Sequence, residues 1–279
     1  MSQRNLKELN LKSCAIGDHG ICLLHHYLCG NTPSKLEITT IDLSGNNLTE
    51  ASSSLIGDII CHIHPQNVYL AFNKITAIRN ISTAVINTNT VKTLALNNNT
   101  SCITVQDAPA ISDMMVYLEK LRIDTNALGD EGAIILSEGI MRTTTLKSLY
   151  LGYNDMSATG VIAISKCLKH NTSLQLLSMD GNFISEDVAT AIAQALTENK
   201  TLKGLSLWHS STPINDEPAM IILKTLHYNH SVTTLRVYYY RHLSHVLERE
   251  VEAINYARRK YNIEELMVSR KNFNILQQQ

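Results

Sequence analysis

The residues near the start of the chain that look most able to do chemistry are Cys22, His25, His26 and Cys29. Their i, i+3, i+4, i+7 spacing places them on one face of a helix, and two thiolates with two imidazoles suit zinc by type. A straight helix spreads them over ~10 Å of rise, too far for one tetrahedral ion. Cys61-His62-Ile63-His64 offers no better geometry. Gly129-Asp130-Glu131-Gly132 resembles a phosphate loop only in its glycines; no Lys-Ser/Thr pair follows, so it reads as a strand-to-helix turn. No Ser/His/Asp set has the local context of a nucleophile elbow. The 11 histidines are scattered and read as solvated side chains. These residues therefore predict no catalytic residue, no cofactor and no metal, and the chain reads as a non-enzyme.

The elements around them follow a repeat. Leu118-Glu-Lys-Leu121-Arg-Ile123-Asp-Thr-Asn126 returns as Leu146-Lys-Ser-Leu149-Tyr-Leu151-Gly-Tyr-Asn154 and as Leu174-Gln-Leu-Leu177-Ser-Met179-Asp-Gly-Asn182, each copy 28 residues after the last. Weaker copies run both ways. About ten repeats of 26–32 residues start near 6, 38, 65, 91, 118, 146, 174, 202, 232 and 263. Alternation of the central leucines predicts a short strand with leucines inward. The framework Asn leaves the strand and serves loop backbone groups that would otherwise be unpaired; Cys14 takes that place in the first copy. A helix follows, its apolar stripe read from Ala133/Leu136/Ile140, Val161/Ile164/Leu168 and Ala189/Ile192/Leu196.

Strands stack ~4.8 Å apart and helices ~8–10 Å apart. Such a stack must curve, strands on the concave side. The fold class is thus an α/β leucine-rich-repeat solenoid (horseshoe): a parallel concave sheet with convex helices, in one domain spanning 1–279. Period, framework and helix together resemble the ribonuclease-inhibitor-like leucine-rich repeats, which also form the sensor regions of NOD-like receptors. Departures fall at Pro65, at 100–109, at Ser210 with Pro213, and in the ninth and tenth repeats. The resemblance implies a protein-protein interaction module, an intracellular ligand-sensing or scaffold region that binds through its concave face.

Composition limits the alternatives. Formal net charge is −1, so nothing draws the whole chain to nucleic acid. No stretch approaches the ~20 apolar residues of a membrane span, and no apolar signal core follows Met1. Six irregularly spaced cysteines read as reduced thiols, which fits a cytoplasmic location. A solenoid needs polar caps. None precedes Leu6, so further domains N-terminal to this chain are expected; charged residues from Glu248 to Tyr261 predict a helix within a closing cap over about 245–279.

Residues between the framework leucines face the concave surface. One column runs Asn10, Asp42, Tyr69, Ala95, Arg122, Tyr150, Ser178, Ser206, Arg236, Met267; its neighbour runs Lys12, Ser44, Ala71, Asn97, Asp124, Gly152, Asp180, Trp208, Tyr238, Ser269. Aromatics gather late. Tyr150, Tyr153, Trp208, His209, Tyr238 and Tyr239, with Asp180 and Arg236 as polar contacts, form the expected protein-binding patch, since Tyr, Trp and Arg dominate binding hot spots. Two rival readings share the fold. Ran-type GTPase-activating proteins resemble this repeat and act through a loop near the strand ends, but only Arg241 closely follows a strand here, and the tail is Gln277-Gln-Gln279. A ribonuclease-inhibitor-like enzyme inhibitor favours a strongly acidic concave face; these columns mix acids and bases.

Overall fold

A computed structural model of the chain describes residues 6–30, 37–99, 102–208, 216–237, 245–260 and 267–269, without the side chains of 216 and 267–269. Its strands are β1 (Glu8–Asn10), β2 (Thr40–Asp42), β3 (Asn67–Tyr69), β4 (Thr93–Ala95), β5 (Lys120–Arg122), β6 (Ser148–Tyr150), β7 (Leu176–Ser178), β8 (Gly204–Leu207), β9 (Thr234–Val237) and β10 (Met267–Ser269). They form one sheet in sequence order, and every neighbouring pair is parallel. Parallel strands need a crossover. Here the crossovers carry α1 (Gly17–Cys29), α2 (Ser53–Ile63), α3 (Arg79–Thr88), α4 (Ala108–Met114), α5 (Gly129–Arg142), α6 (Ala158–Leu168), α7 (Glu186–Glu198), α8 (Asp216–Thr225) and α9 (His245–Lys260).

The core lies between the sheet and the helices. Leu121, Leu149, Leu177 and Leu205 of successive strands pair in register and are buried. The helix stripes Ala133/Leu136/Ile140, Val161/Ile164/Leu168 and Ala189/Ile192/Leu196 meet them and are fully buried. Close helix approach depends on small residues: a Cβ on Gly139 would sit 2.8 Å from the Ser112 hydroxyl oxygen.

Two polar ladders tie the repeats together. In the first, Asn46, Asn73, Asn99, Asn126, Asn154 and Asn182 are all buried. Each side-chain amide donates to the carbonyl of its own strand-exit residue and to that of the preceding repeat; Asn182, for example, reaches Met179 O at 3.1 Å and Leu151 O at 3.0 Å. The second ladder follows the helices. Asn171 donates to Ile140 O, Asn199 to Leu168 O and Asn171 O, and Asn229 to Leu196 O and Asn199 O. Their side-chain oxygens accept the N–H groups that open the next strand segment, Leu174, Leu202 and Val232. Arg258 of α9 takes the next rung: its guanidinium donates to Asn229 O at 2.9 Å and to Leu226 O at 3.5 Å, and the residue is buried.

The irregular stretch in the fourth repeat is ordered where described. Thr104 and Asp107 form a reciprocal capping box, and Pro109 lies in the first turn of α4. Asp107 also accepts the Ile78 N–H of the preceding repeat at 3.2 Å. One column assignment needs correction. Val268, not Leu266, pairs with Leu235, so Ser269 aligns with Arg236 and Met267 with Thr234. Leu266-Met-Val268 is a continuous apolar run, and alternation cannot choose its register.

Candidate functional site

Strand register aligns the first concave column, Asn10 to Arg236, across the first nine strands. Arg122, Tyr150, Ser178, Ser206 and Arg236 are consecutive partners across β5 to β9. Large and small residues alternate in blocks along this line. Ser178 and Ser206 are buried between Tyr150 and Arg236, and the Arg236 charge acts on the Tyr150 hydroxyl across them.

Two arginine–aromatic stacks flank the serines. On one side the Arg122 guanidinium carbon lies 5.0 Å from the Tyr150 ring centre, with Lys120 Nζ at 5.8 Å. On the other, the Arg236 guanidinium carbon lies 5.7 Å from the Trp208 ring centre. Both distances are within cation–π range.

Carboxylates fix these groups. Asp124 pairs with Arg122 through two contacts of 3.3 Å, Nε to Oδ1 and Nη2 to Oδ2. Burial pushes the Asp124 carboxyl up, against the pull of Arg122, and nearby Asp180 adds to the rise. Asp180 Oδ1 accepts the Ser206 hydroxyl at 2.5 Å and the Trp208 backbone N–H at 2.7 Å. Asp180 thus locks the strand exit that carries Trp208. Burial raises the Tyr150 hydroxyl, and burial with the Arg122 charge lowers the Lys120 ammonium. Tyr153 sits at the rim in the left-handed region, φ 52°. Its ring covers Gly181, where φ is +70° and a Cβ would fall 2.3 Å from the ring. Only glycine meets both conditions.

Of the residues expected from the sequence, Tyr150, Asp180, Trp208 and Arg236 come together, and Tyr153 borders them. His209, Tyr238 and Tyr239 lie outside the described residues, as does Arg241. The sequence reading missed the contribution of Lys120, Arg122 and Asp124. Their column positions were the available signal: Arg122 and Asp124 are two apart on one face, where a salt bridge forms, and Arg122 directly precedes Tyr150. Asp180 does not reach out as a free polar contact; it is engaged within the chain.

His25 Nε2 lies 3.4 Å from Asp58 of α2, and the six cysteines are free. Among the described residues no group of three or more His, Cys, Asp or Glu could hold a metal ion. Nor is any described helix long and apolar enough to cross a membrane.

A family model described as leucine-rich repeat matches residues 2–21 and 143–165. The second match carries the framework Leu146, Leu149, Leu151 and Asn154; the structure places Leu149 on β6, buries Leu146 and Leu151 on either side of it, and puts Asn154 in the first ladder. The chain is a leucine-rich-repeat solenoid. Comparison with curated protein sequences returns no match. Among solved structures, the repeats are similar to actin-binding site 2 of leiomodin-1, with 23% identity over 48% of this chain and 75% of that chain and a TM-score of 0.43. They are also similar to an internalin (InlF) from Listeria monocytogenes, with 15% identity over 78% of this chain and 72% of that chain and a TM-score of 0.42.

Proposed function

We propose that this chain is a protein-interaction module that grips its partner on the concave strand face across β5–β9, and that it works by binding and not by catalysis. The observation that carries the reading is the pair of arginine–aromatic stacks, Arg122/Tyr150 and Trp208/Arg236, on one rigid parallel sheet with two buried serines between them. The ladder bonds that join the repeats use none of these side chains, so they are not needed to build the fold. Tyr, Trp and Arg lose little conformational freedom per unit of contact area and concentrate binding energy. The carboxylates that could serve as acids or bases are held by Arg122 and by Ser206 and the Trp208 N–H.

We further propose that residues 1–279 form one repeat domain with a C-terminal cap over about 245–279 that contains α9, a reading that Arg258 in the second ladder supports. Free thiols and the ribonuclease-inhibitor-like period favour an intracellular, cytoplasmic sensing or scaffold region of the NOD-like-receptor kind. The test starts by crosslinking a partner to the full chain and purifying it. Titration calorimetry then compares wild type with Trp208→Ala and Tyr150→Ala. Each should weaken binding by about 30-fold, the hot-spot scale of ~2 kcal/mol, while Tyr228→Ala on the convex side leaves it unchanged. Equal affinity for all four proteins, at unchanged melting temperature, sinks the proposal.

A further inference from the structure

The concave face is electrically uneven. At its first strands Glu8 and Asp42 surround Tyr69, and after burial these acids push its hydroxyl further up. Across β5–β9 three cations, Lys120, Arg122 and Arg236, act on Tyr150, against two acids, Asp124 and Asp180. Arg122 has a carboxylate of its own in Asp124. Arg236 does not. Among the described residues no acid forms an ion pair with it, and its Nε is shielded from solvent with no hydrogen-bond partner. An unmet buried donor costs about 1–3 kcal/mol, which an incoming acceptor would recover. The guanidinium is held by Trp208, and Trp208 in turn by the Asp180 bond to its backbone, so the donor is placed before a ligand arrives.

Resting on the binding role proposed above, we infer that the group received at this end of the face is a carboxylate side chain on a protein partner, seated against Arg236 beside Trp208 and above Ser178 and Ser206. A guanidinium presents parallel N–H donors that match a carboxylate, and such pairs are the stronger hydrogen bonds. The small serines keep the floor low: from Tyr150 to Arg236 is three strand steps, about 14 Å, with only hydroxymethyl groups between. A basic group at the same place would face the Arg236 guanidinium directly, while the nearby Asp180 carboxylate is turned onto Ser206 and the Trp208 N–H.

The experiment selects random linear dodecapeptides displayed on phage against the full chain, against Trp208→Ala and against Arg236→Glu. Wild type should enrich peptides with Asp or Glu at one fixed position, Trp208→Ala should lose them, and Arg236→Glu should enrich Lys or Arg at that position. A second measurement needs no variant of the chain: a selected peptide with its acid changed to the amide should bind wild type at least about tenfold more weakly. Trp208-dependent peptides without an acidic position, or an acidic preference that survives Arg236→Glu, overturn the carboxylate inference and leave the binding role standing. Absence of any Trp208-dependent peptide overturns both.

Discussion

Asn182→Ala tests whether the first ladder couples neighbouring repeats. The wild-type side chain makes five bonds. Its oxygen accepts the backbone N–H of Asn154 at 3.2 Å and of Met156 at 3.1 Å. Its amide donates to Leu151 O, Met179 O and Asp180 O. Leu151 O keeps the Asn154 amide, and Asp180 O keeps the Tyr153 N–H. Truncation therefore orphans two donors and the Met179 carbonyl, all at a residue only 1% exposed. At about 1–3 kcal/mol for each of the three unmet buried groups, the loss should be roughly 3–9 kcal/mol. Because a solenoid's stability is a nearest-neighbour sum, the damage should fall at the junction of the sixth and seventh repeats. Trp208 is the only tryptophan and sits one repeat further on, so its fluorescence in a urea titration reads that junction. The Trp208 transition should move to lower urea and separate from the circular-dichroism transition, while exposed Gln194→Ala stays within about 0.5 kcal/mol of wild type. A loss under about 1 kcal/mol, with both probes still coincident, would show that the ladder is decorative.

Other outcomes follow from named contacts. Arg258→Ala removes the last rung of the second ladder and should cost about 2–4 kcal/mol, with hydrogen exchange accelerated first in β9 and α9; Arg258→Asn should recover part of the loss, since Asn229 does the same work one repeat earlier. Gly181→Ala forces both a left-handed alanine and a clash with the Tyr153 ring, and should destabilise by about 1–3 kcal/mol while weakening partner binding. At Asp130, burial alone would raise the carboxyl, but the Ser157 hydroxyl and the Gly160 and Ser157 N–H groups outweigh it and hold the carboxyl below its ordinary value. Its contribution is therefore complete above the unfolded carboxylate value and fades as pH falls through the lowered folded one; the stability gap between wild type and Asp130→Asn should shrink from pH 6 to pH 3, and a constant gap would refute the assignment. Burial pushes the Cys167 thiol up to about 12, so maleimide at pH 8 should modify Cys14, Cys22 and Cys61 and spare Cys167 until the chain unfolds.

The fold was legible because leucine spacing and strand geometry impose the same constraint. A residue such as Leu149 has one face available to it, and the 28-residue recurrence leaves no competing register from Leu118 to Asn182. The first ladder was visible for the same reason, as a fixed Asn at the strand exit. The second was half visible: Asn171 and Asn199 mark helix ends in the sequence, but nothing in a local pattern shows Arg258 taking the next rung, because a long cation on a charged helix ordinarily reads as solvated. In the tenth strand the pattern failed outright. Three apolar residues in a row erase the alternation, and pairing with β9 decides between registers two residues apart. At the site, column membership found Tyr150, Asp180, Trp208 and Arg236, while the direction in which each side chain leans, and hence the Arg122 stack and the inward use of Asp180, depends on neighbours that are 26 or more residues away in the chain.

The division of labour between the two sides of the sheet explains why a binding reading survives such an irregular sequence. The inward leucines and the ladder asparagine amides are bound by contacts that repeat along the stack, so a change there propagates to both neighbours. A concave side chain owes nothing to that repeat beyond its place on the pleat. Ser178 and Ser206 could be larger and Tyr150 or Trp208 smaller without orphaning a single framework bond, except that Asp180 has been recruited to hold Ser206 and the Trp208 backbone. A carboxylate turned inward to fix the exit of one particular strand stabilises a geometry the framework does not need. It orders the tryptophan that the arginine leans on. That expenditure makes sense only for a surface whose shape before contact matters, and it predicts that Asp180→Asn, which keeps an acceptor and removes the charge, should leave the urea midpoint nearly unchanged while slowing or weakening partner capture. If partner affinity is indifferent to Asp180→Asn and to Asp180→Ala alike, the pre-ordering of this face has no part in recognition.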